Sequence, residues 1–192
     1  YWDMYDPDTI PAPLSLCDGG DPAIPALQHM RRARAEGTAN TQGTLPYAVN
    51  EREARESIAL TYCMISMIDD GVGQIMQRLD ELELTENTVV IFMSDHGDFM
   101  GDHGLMLKAA LHYQGLIKVP FIWSEPGQPH AGQPTKALHS TVDIARTILL
   151  RAGLAPFWGM QGTDMAPSLN DPSQDGADSV LIEEDGHEPA LG

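Results

Sequence analysis

Thr88-Val89-Val90-Ile91-Phe92-Met93 runs straight into Ser94-Asp95-His96-Gly97-Asp98-Phe99-Met100-Gly101-Asp102-His103-Gly104. The first six residues are apolar or β-branched throughout, which predicts a strand buried on both faces. In an open α/β sheet, ligands collect beyond the carboxyl ends of such strands. Here the strand ends and the chain at once presents a carboxylate, an imidazole and a glycine. Asp95 and His96 thereby offer an oxygen and a nitrogen donor of the kind that holds a divalent cation. Asp-His-Gly taken alone also suits an ordinary turn, because Asp and Gly favour tight loops. Three neighbours weigh against that plainer reading. The triplet recurs at Asp102-His103-Gly104, Lys108 follows twelve residues after His96, and a second apolar run led by a cation, Lys118-Val119-Pro120-Phe121-Ile122-Trp123, comes next.

Working outward, Asn50 is a good N-cap, with Glu51 and Glu53 placed to face the helix dipole. Ile58, Ile65, Ile68, Val72, Ile75, Leu79 and Leu82 recur at helical spacing, which predicts one long helix with a buried stripe. Gly71 and Gly73 interrupt that pattern, and close packing of the helix on a sheet would account for them. They follow a helix rather than a strand, so they are no dinucleotide fingerprint. Asp69 and Asp70 point in different directions on a helix and read as surface or capping residues rather than a paired metal site. Pro120 restricts the second strand to its start or to an edge. Ser140 is placed to cap a helix over Val142 to Arg151, with Asp143 at its acidic end and Gly153 closing it. Val180-Leu181-Ile182 reads as one more short strand. Residues 1–49 are rich in Pro and Gly, with a helical stretch around Ala26 to Ala35, and read as covering or functional loops. The domain division expected is therefore 1–49, loop-rich with a short helix, and 50–192, an α/β unit.

Composition excludes several classes. The chain has 28 acidic against 11 basic residues, a formal net charge of -17. Phosphates would be repelled, so neither a nucleic-acid nor an anionic-membrane partner is expected. No apolar stretch approaches the roughly 20 residues of a membrane span. The opening Tyr1-Trp2-Asp3 carries neither Met nor a signal pattern, and the chain reads as an interior piece of a longer protein. Cys17 lies in a polar loop and Cys63 within the helical pattern, where it reads as a small buried apolar side chain. Two cysteines build no metal or disulfide framework. His29, His130, His139 and His187 sit in polar contexts and are expected to face solvent.

The ordered set from Tyr62 to Gly162 resembles the C-terminal part of the catalytic domain of the sulfatase family, within the alkaline phosphatase superfamily. The residues that carry the resemblance are Tyr62 to Gly73, Asn87-Thr88-Val89-Val90, Ser94 to Asp98, Gly101 to Leu105, Lys108, Val119 to Ile122, Pro126-Gly127, Asp143-Ile144, Thr147 and Gly162. Tyr5-Asp6-Pro7 with Pro11 matches the family's early segment more loosely. The Asp-His pair is most similar to choline sulfatases and phosphonate monoester hydrolases. The fold so implied is α/β: part of an alkaline-phosphatase-like sandwich, a mixed and mostly parallel sheet with flanking helices, truncated on its N-terminal side.

The resemblance also implies roles. Asp95 and His96 match a pair of metal ligands, for calcium by sulfatase analogy, with magnesium or manganese as the other choices. His at the site leans toward a softer ion than calcium. Lys108 matches the lysine that contacts the transferring sulfate or phosphate group, where it would neutralise charge developing on its oxygens. His103 is a loop-supporting or second-layer residue. Gln114 stands where the family often has Glu. The nucleophile motif, Cys or Ser, then any residue, Pro or Ala, any residue and Arg, is absent: Ser124-Glu125-Pro126 begins correctly, but Gln128 replaces Arg. Formylglycine is therefore expected only in a part N-terminal to this sequence. The expected reading is part of a metal-dependent sulfatase acting on a small-molecule or glycan sulfate ester, inactive alone and self-associating, in the bacterial cytoplasm or periplasm. A phosphonate or phosphate mono- or diester hydrolase, and a non-enzymatic binding or assembly module, stay open beside it.

Overall fold

The computed structural model describes residues 1–16, 24–43 and 45–183. Cys17 and His187 lie outside them. The chain divides into two compact units: one comprises Tyr1–Glu83 and His96–Val119, the other Leu84–Asp95 and the chain from Pro120 onward.

In the first unit, α1 spans Pro25–Ala35, with proline at its start, where a missing N–H costs nothing. A two-residue strand β1, Tyr47–Ala48, leads into α2, Glu51–Glu81. The start of α2 is a complete capping box. Glu53 N–H donates to Asn50 Oδ1 at 3.0 Å, and Asn50 N–H donates to Glu53 Oε2 at 2.9 Å. The N-terminal segment lies along this helix. Arg55 Nη1 donates to Ile10 O at 2.7 Å, Arg52 pairs with Asp8, and the Tyr5 and Tyr62 rings meet edge to face at 5.4 Å. Cys63 is buried, as expected, 3.6 Å from Trp2 O. Asp69 and Asp70 are exposed, and Asp70 accepts from the Tyr1 hydroxyl.

Two expectations about α2 need correction. Gly71 and Gly73 do not interrupt it, and a Cβ at either would meet nothing within 4 Å, so close packing does not explain them. The apolar stripe is real in sequence but uncovered: Ile65, Ile68 and Ile75 are 53%, 51% and 62% exposed. What α2 buries is a row of small side chains nearer its start, Ala54, Ala59 and Cys63. Helical spacing reports a preference for cover, and no described element of the unit supplies that cover here.

The core of the first unit gathers Leu27, Met30, Phe99, Leu105 and Leu116, with Ile24, Ala109, Leu111 and Tyr113 packed around them. Strand β3, Leu105–Met106, pairs antiparallel with β1, Tyr47 opposite Met106 and Ala48 opposite Leu105. A single turn, α3, follows at Gln114–Ile117.

The second unit holds β2, Val90–Met93, and β4, Phe121–Ser124. They pair antiparallel with Val90 opposite Ser124 and Met93 opposite Phe121. Both ladders among the described residues are thus antiparallel and two-stranded, where a mostly parallel sheet was expected. The run at 88–93 is also not buried on both faces, since Phe92 and Met93 are each 39% exposed. A two-stranded ribbon has one partnered edge and cannot enclose a strand. Pro120 stands just ahead of β4, the position its missing N–H predicts. Val180-Leu181-Ile182 forms no strand; three apolar residues lack a pairing edge among the described residues.

Helix α4, Val142–Arg151, ends as anticipated, with Gly153 at φ +72°. Its start differs. Ser140 contributes no side-chain cap; its backbone N–H donates to Asp143 Oδ2 at 2.9 Å. Thr163 N–H donates to Asp143 Oδ1 at 2.7 Å, tying the later loop to the helix start. A five-residue helix, α5, Ala166–Asn170, is the last helix among the described residues.

Candidate active site

Ser94 and Asp95 end the extended stretch that begins with β2, and Ser94 Oγ lies 3.4 Å from Asp95 Oδ1 as donor. His96 begins the first unit's return. The boundary between the units falls between Asp95 and His96.

From His96 to Lys108 the chain makes a closed loop whose backbone is pinned at several points. Gly97 N–H donates to Leu116 O at 2.9 Å, Phe99 N–H to Leu107 O at 2.9 Å, and Gly101 N–H to Leu105 O at 2.7 Å. Phe99 is 1% exposed and anchors the loop in the core. The glycine of the first Asp-His-Gly has a steric cause: a Cβ on Gly97 would sit 1.8 Å from Gly115 O. Gly101 is required twice over, by φ +95° and by Ala54 Cβ, which a side chain would meet at 2.6 Å. Met100, His103 and Leu107 take left-handed backbone at φ 46°, 54° and 66°. Such conformations cost of order 1–3 kcal/mol each and persist where the surroundings over-determine them.

This folding brings Lys108 back to His96, so that the lysine Nζ meets the imidazole Nε2. The other ring nitrogen, Nδ1, lies 2.8 Å from Gly97 O. A carbonyl accepts only, so Nδ1 carries the proton and Nε2 the lone pair. That tautomer is the one a metal-ligating histidine needs, with its second nitrogen held by a backbone carbonyl. Both His96 and Lys108 are exposed, as is Asp95. Among the described residues no group of three or more His, Cys, Asp or Glu side chains is gathered to hold an ion. Two donors furnish only part of a coordination sphere of six or more.

His103 supports the loop rather than entering the His96–Lys108 pair. Its ring stacks on Tyr113 at 3.9 Å, and its backbone N–H donates to Ser15 Oγ at 3.2 Å. Ser15 in turn donates to Asp102 Oδ1 at 2.7 Å. The second Asp-His-Gly is thus a brace between the loop and the N-terminal segment. The family resemblance marks Tyr113 only as an aromatic position ahead of Gln114, and nothing in the sequence marks Ser15, because only the tertiary fold brings the two to the loop.

His139 is the clearest missed residue. It was expected to face solvent, yet its side chain is 15% exposed. Its Nε2 lies 2.6 Å from Ser168 Oγ and its Nδ1 3.4 Å from Asp143 Oδ2. By residue type this is a Ser-His-Asp set. By geometry it is not a hydrolytic triad. Ser168 is 3% exposed, and its hydroxyl donates to Met165 O at 3.0 Å, so its proton points away from the imidazole. Burial pushes the Asp143 carboxyl up, but N–H donors from Ser140 and Thr163, with His139 beside them, outweigh it and hold the group below its ordinary range. Asp143→Ala leaves those donors unpaired at about 1–3 kcal/mol each. An unfolding free energy lower by roughly 3 kcal/mol is expected in urea denaturation. The sign with pH follows from the lowered value. The carboxylate's contribution is complete above about pH 4 and disappears as pH falls through the folded value. Wild type and variant should therefore converge only in acid.

A family model described as Sulfatase matches residues 26–154. The chain is 33% identical over 184 residues to a multifunctional alkaline phosphatase superfamily protein of Trinickia caryophylli, covering 88% of this chain and 34% of that protein. It is 29% identical over 144 residues to an arylsulfatase of Clostridium perfringens, covering 75% and 27%. Among solved structures, the phosphonate monoester hydrolase of Agrobacterium radiobacter superposes with a TM-score of 0.60 at 32% identity, over 63% of this chain and 24% of that one. The chain spans about a third or less of the length of these curated relatives.

Proposed function

Because the chain belongs to the sulfatase family, we propose that it supplies one part of an ester hydrolase's catalytic site, Lys108 with the metal donors Asp95 and His96. The observation that carries this reading is the closed loop from His96 to Lys108, which returns the ammonium to the imidazole across twelve residues of sequence. Two exposed nitrogens held together on a strained, many-times-pinned loop serve no evident packing purpose. They fit a place where an oxyanion and a cation are handled side by side.

Asp95 and His96 would hold a divalent ion, calcium by family resemblance, with magnesium or manganese as alternatives, once the Lys108 ammonium leaves the His96 Nε2 lone pair it meets here. Such an ion supplies Lewis-acid stabilisation to the oxygens of the group under attack. Lys108 neutralises charge on the transferring group and its leaving oxygen. His103 keeps the loop in register. The nucleophile, a formylglycine in this reading, comes from sequence other than these 192 residues, which contain no matching motif. The substrate is a sulfate ester of a small molecule or a glycan. A phosphonate or phosphate ester is the second reading, favoured by the 32% identity to a phosphonate monoester hydrolase.

The 192-residue chain by itself is accordingly expected to hydrolyse neither aryl sulfates nor phosphonate monoesters above background. Turnover that survives purification and disappears in Asp95→Ala would overturn this division of labour. The uncovered stripe of α2 leads to a further expectation, self-association, because exposed apolar surface of this kind drives it. Light scattering across a dilution series should show a dimer or larger species, and a monomer throughout would refute that.

A further inference from the structure

His139, in the second unit, takes no part in the chemistry proposed above, yet it faces a buried charge. Asp143 is 5% exposed and accepts through both oxygens, from Ser140 N–H at Oδ2 and from Thr163 N–H at Oδ1. Two accepting oxygens suit the ionised carboxyl. A carboxylate taken out of water needs a counter-charge, and breaking such a pair is costly. Among the described residues neither Lys nor Arg pairs with Asp143; the side chain that does is His139, with Nδ1 3.4 Å from Oδ2.

The far side of the ring decides which protons it carries. Nε2 lies 2.6 Å from Ser168 Oγ, and that hydroxyl donates to Met165 O at 3.0 Å. Oγ then offers the ring only lone pairs, so Nε2 carries a proton. Nδ1 is buried and makes no hydrogen bond in this arrangement, so charge decides its state. A lone pair there is repelled by the Asp143 carboxylate, and a proton is attracted to it. The imidazolium is thus the form that suits both neighbours.

We propose that His139 and Asp143 are a proton-operated latch, an imidazolium–carboxylate pair that fastens residues 163–168 to the start of α4 and loosens them when the ring loses its proton. The connections are contiguous. Asp143 holds Thr163 N–H, Thr147 Oγ1 one turn along α4 accepts from Met165 N–H at 3.0 Å, and Ser168 on α5 holds the other edge of the ring. The charged groups at the ends of α5 are committed elsewhere. Asp164 Oδ1 accepts from Ala166 N–H and Asp171 Oδ1 from Ser173 N–H, each at 3.0 Å. The stretch packed on Leu138 brings the uncharged Gly176 and Ala177, whose N–H donates to Leu138 O at 2.9 Å. Asp143 is therefore the charged group that faces the ring. The sign with pH follows. The pair steadies the segment while the ring is charged, and rising pH removes that proton and the contribution with it. The latch is closed in mild acid and open in base.

The test compares the full chain with His139→Gln at about pH 5.5 and about pH 8.5, on either side of the range in which histidine ordinarily titrates. Nitrogen-15 spectra of the wild-type ring should show both nitrogens protonated in acid, and Nε2 alone protonated in base. Hydrogen-exchange protection of the Thr163 and Met165 amides should fall about tenfold between the two conditions, the worth of one hydrogen bond to a charged group. In His139→Gln, which keeps a donor for Ser168 but no charge, that protection should be low and level. The amide of Gly97, in the first unit, should not follow the change. A neutral ring in mild acid, a proton on Nδ1 rather than Nε2 in base, or a fall in protection shared by Gly97 or by His139→Gln would each overturn the latch. Should His139→Gln fail to fold, the wild-type ring spectra and protection decide alone.

Discussion

If this chain supplies part of an ester hydrolase as proposed, replacing Lys108 by alanine in that enzyme is expected to lower kcat/KM toward a sulfate monoester by about 10²–10³-fold, the loss that follows removal of one preorganised donor from a developing anion. The reason lies in how the lysine is held. Leu107 is fixed in left-handed backbone, and its carbonyl accepts from Phe99 N–H at 2.9 Å, so the direction in which Lys108 leaves the loop is set by the core. The side chain itself is exposed, with its ammonium against the His96 ring. Its loss should leave the melting temperature unchanged, which separates a chemical role from a structural one. Arginine at the position restores charge but not the compact point contact, and partial recovery is expected. Unchanged kcat/KM in Lys108→Ala would remove the lysine from the site.

The second large effect concerns the donors. Asp95→Ala or His96→Ala in the same enzyme should cost on the order of 10³-fold in turnover, since a Lewis acid contributes several kcal/mol to such a reaction. Unlike Lys108→Ala, these variants should recover part of the loss when divalent metal is raised. His96→Ala also frees Lys108 from its imidazole partner, so its KM for an anionic substrate is expected to change along with kcat. Activity indifferent to chelator in the wild type would contradict the assignment.

Much of this was legible in the residues. Asn50 and Glu53 announced a helix start because a capping box needs only local sequence. Gly153 and Pro120 marked ends for the same reason. The Asp-His-Gly with Lys108 twelve residues on was readable because an ordered set of short motifs resembles a family. What failed was non-local. Phe92 and Met93 looked central, but cover depends on elements a composition cannot count. The α2 stripe misled in the same way. Ser140 was a plausible cap, yet Asp143 won, because its two carboxylate oxygens reach two separate backbone N–H groups, those of Ser140 and Thr163. His139 gave no signal at all. Its burial depends on Ser168, twenty-nine residues away in sequence.

The most direct measurement is a manganese titration of the isotopically labelled chain, read by paramagnetic broadening of individual resonances. Broadening is expected to begin at Asp95 and the His96 ring, to extend to Lys108, and to vanish in Asp95→Ala. The expected affinity is weaker than micromolar, because two protein donors leave most of the coordination sphere to water. Broadening spread evenly over the acidic surface, or a sub-micromolar affinity centred on other residues, would contradict it.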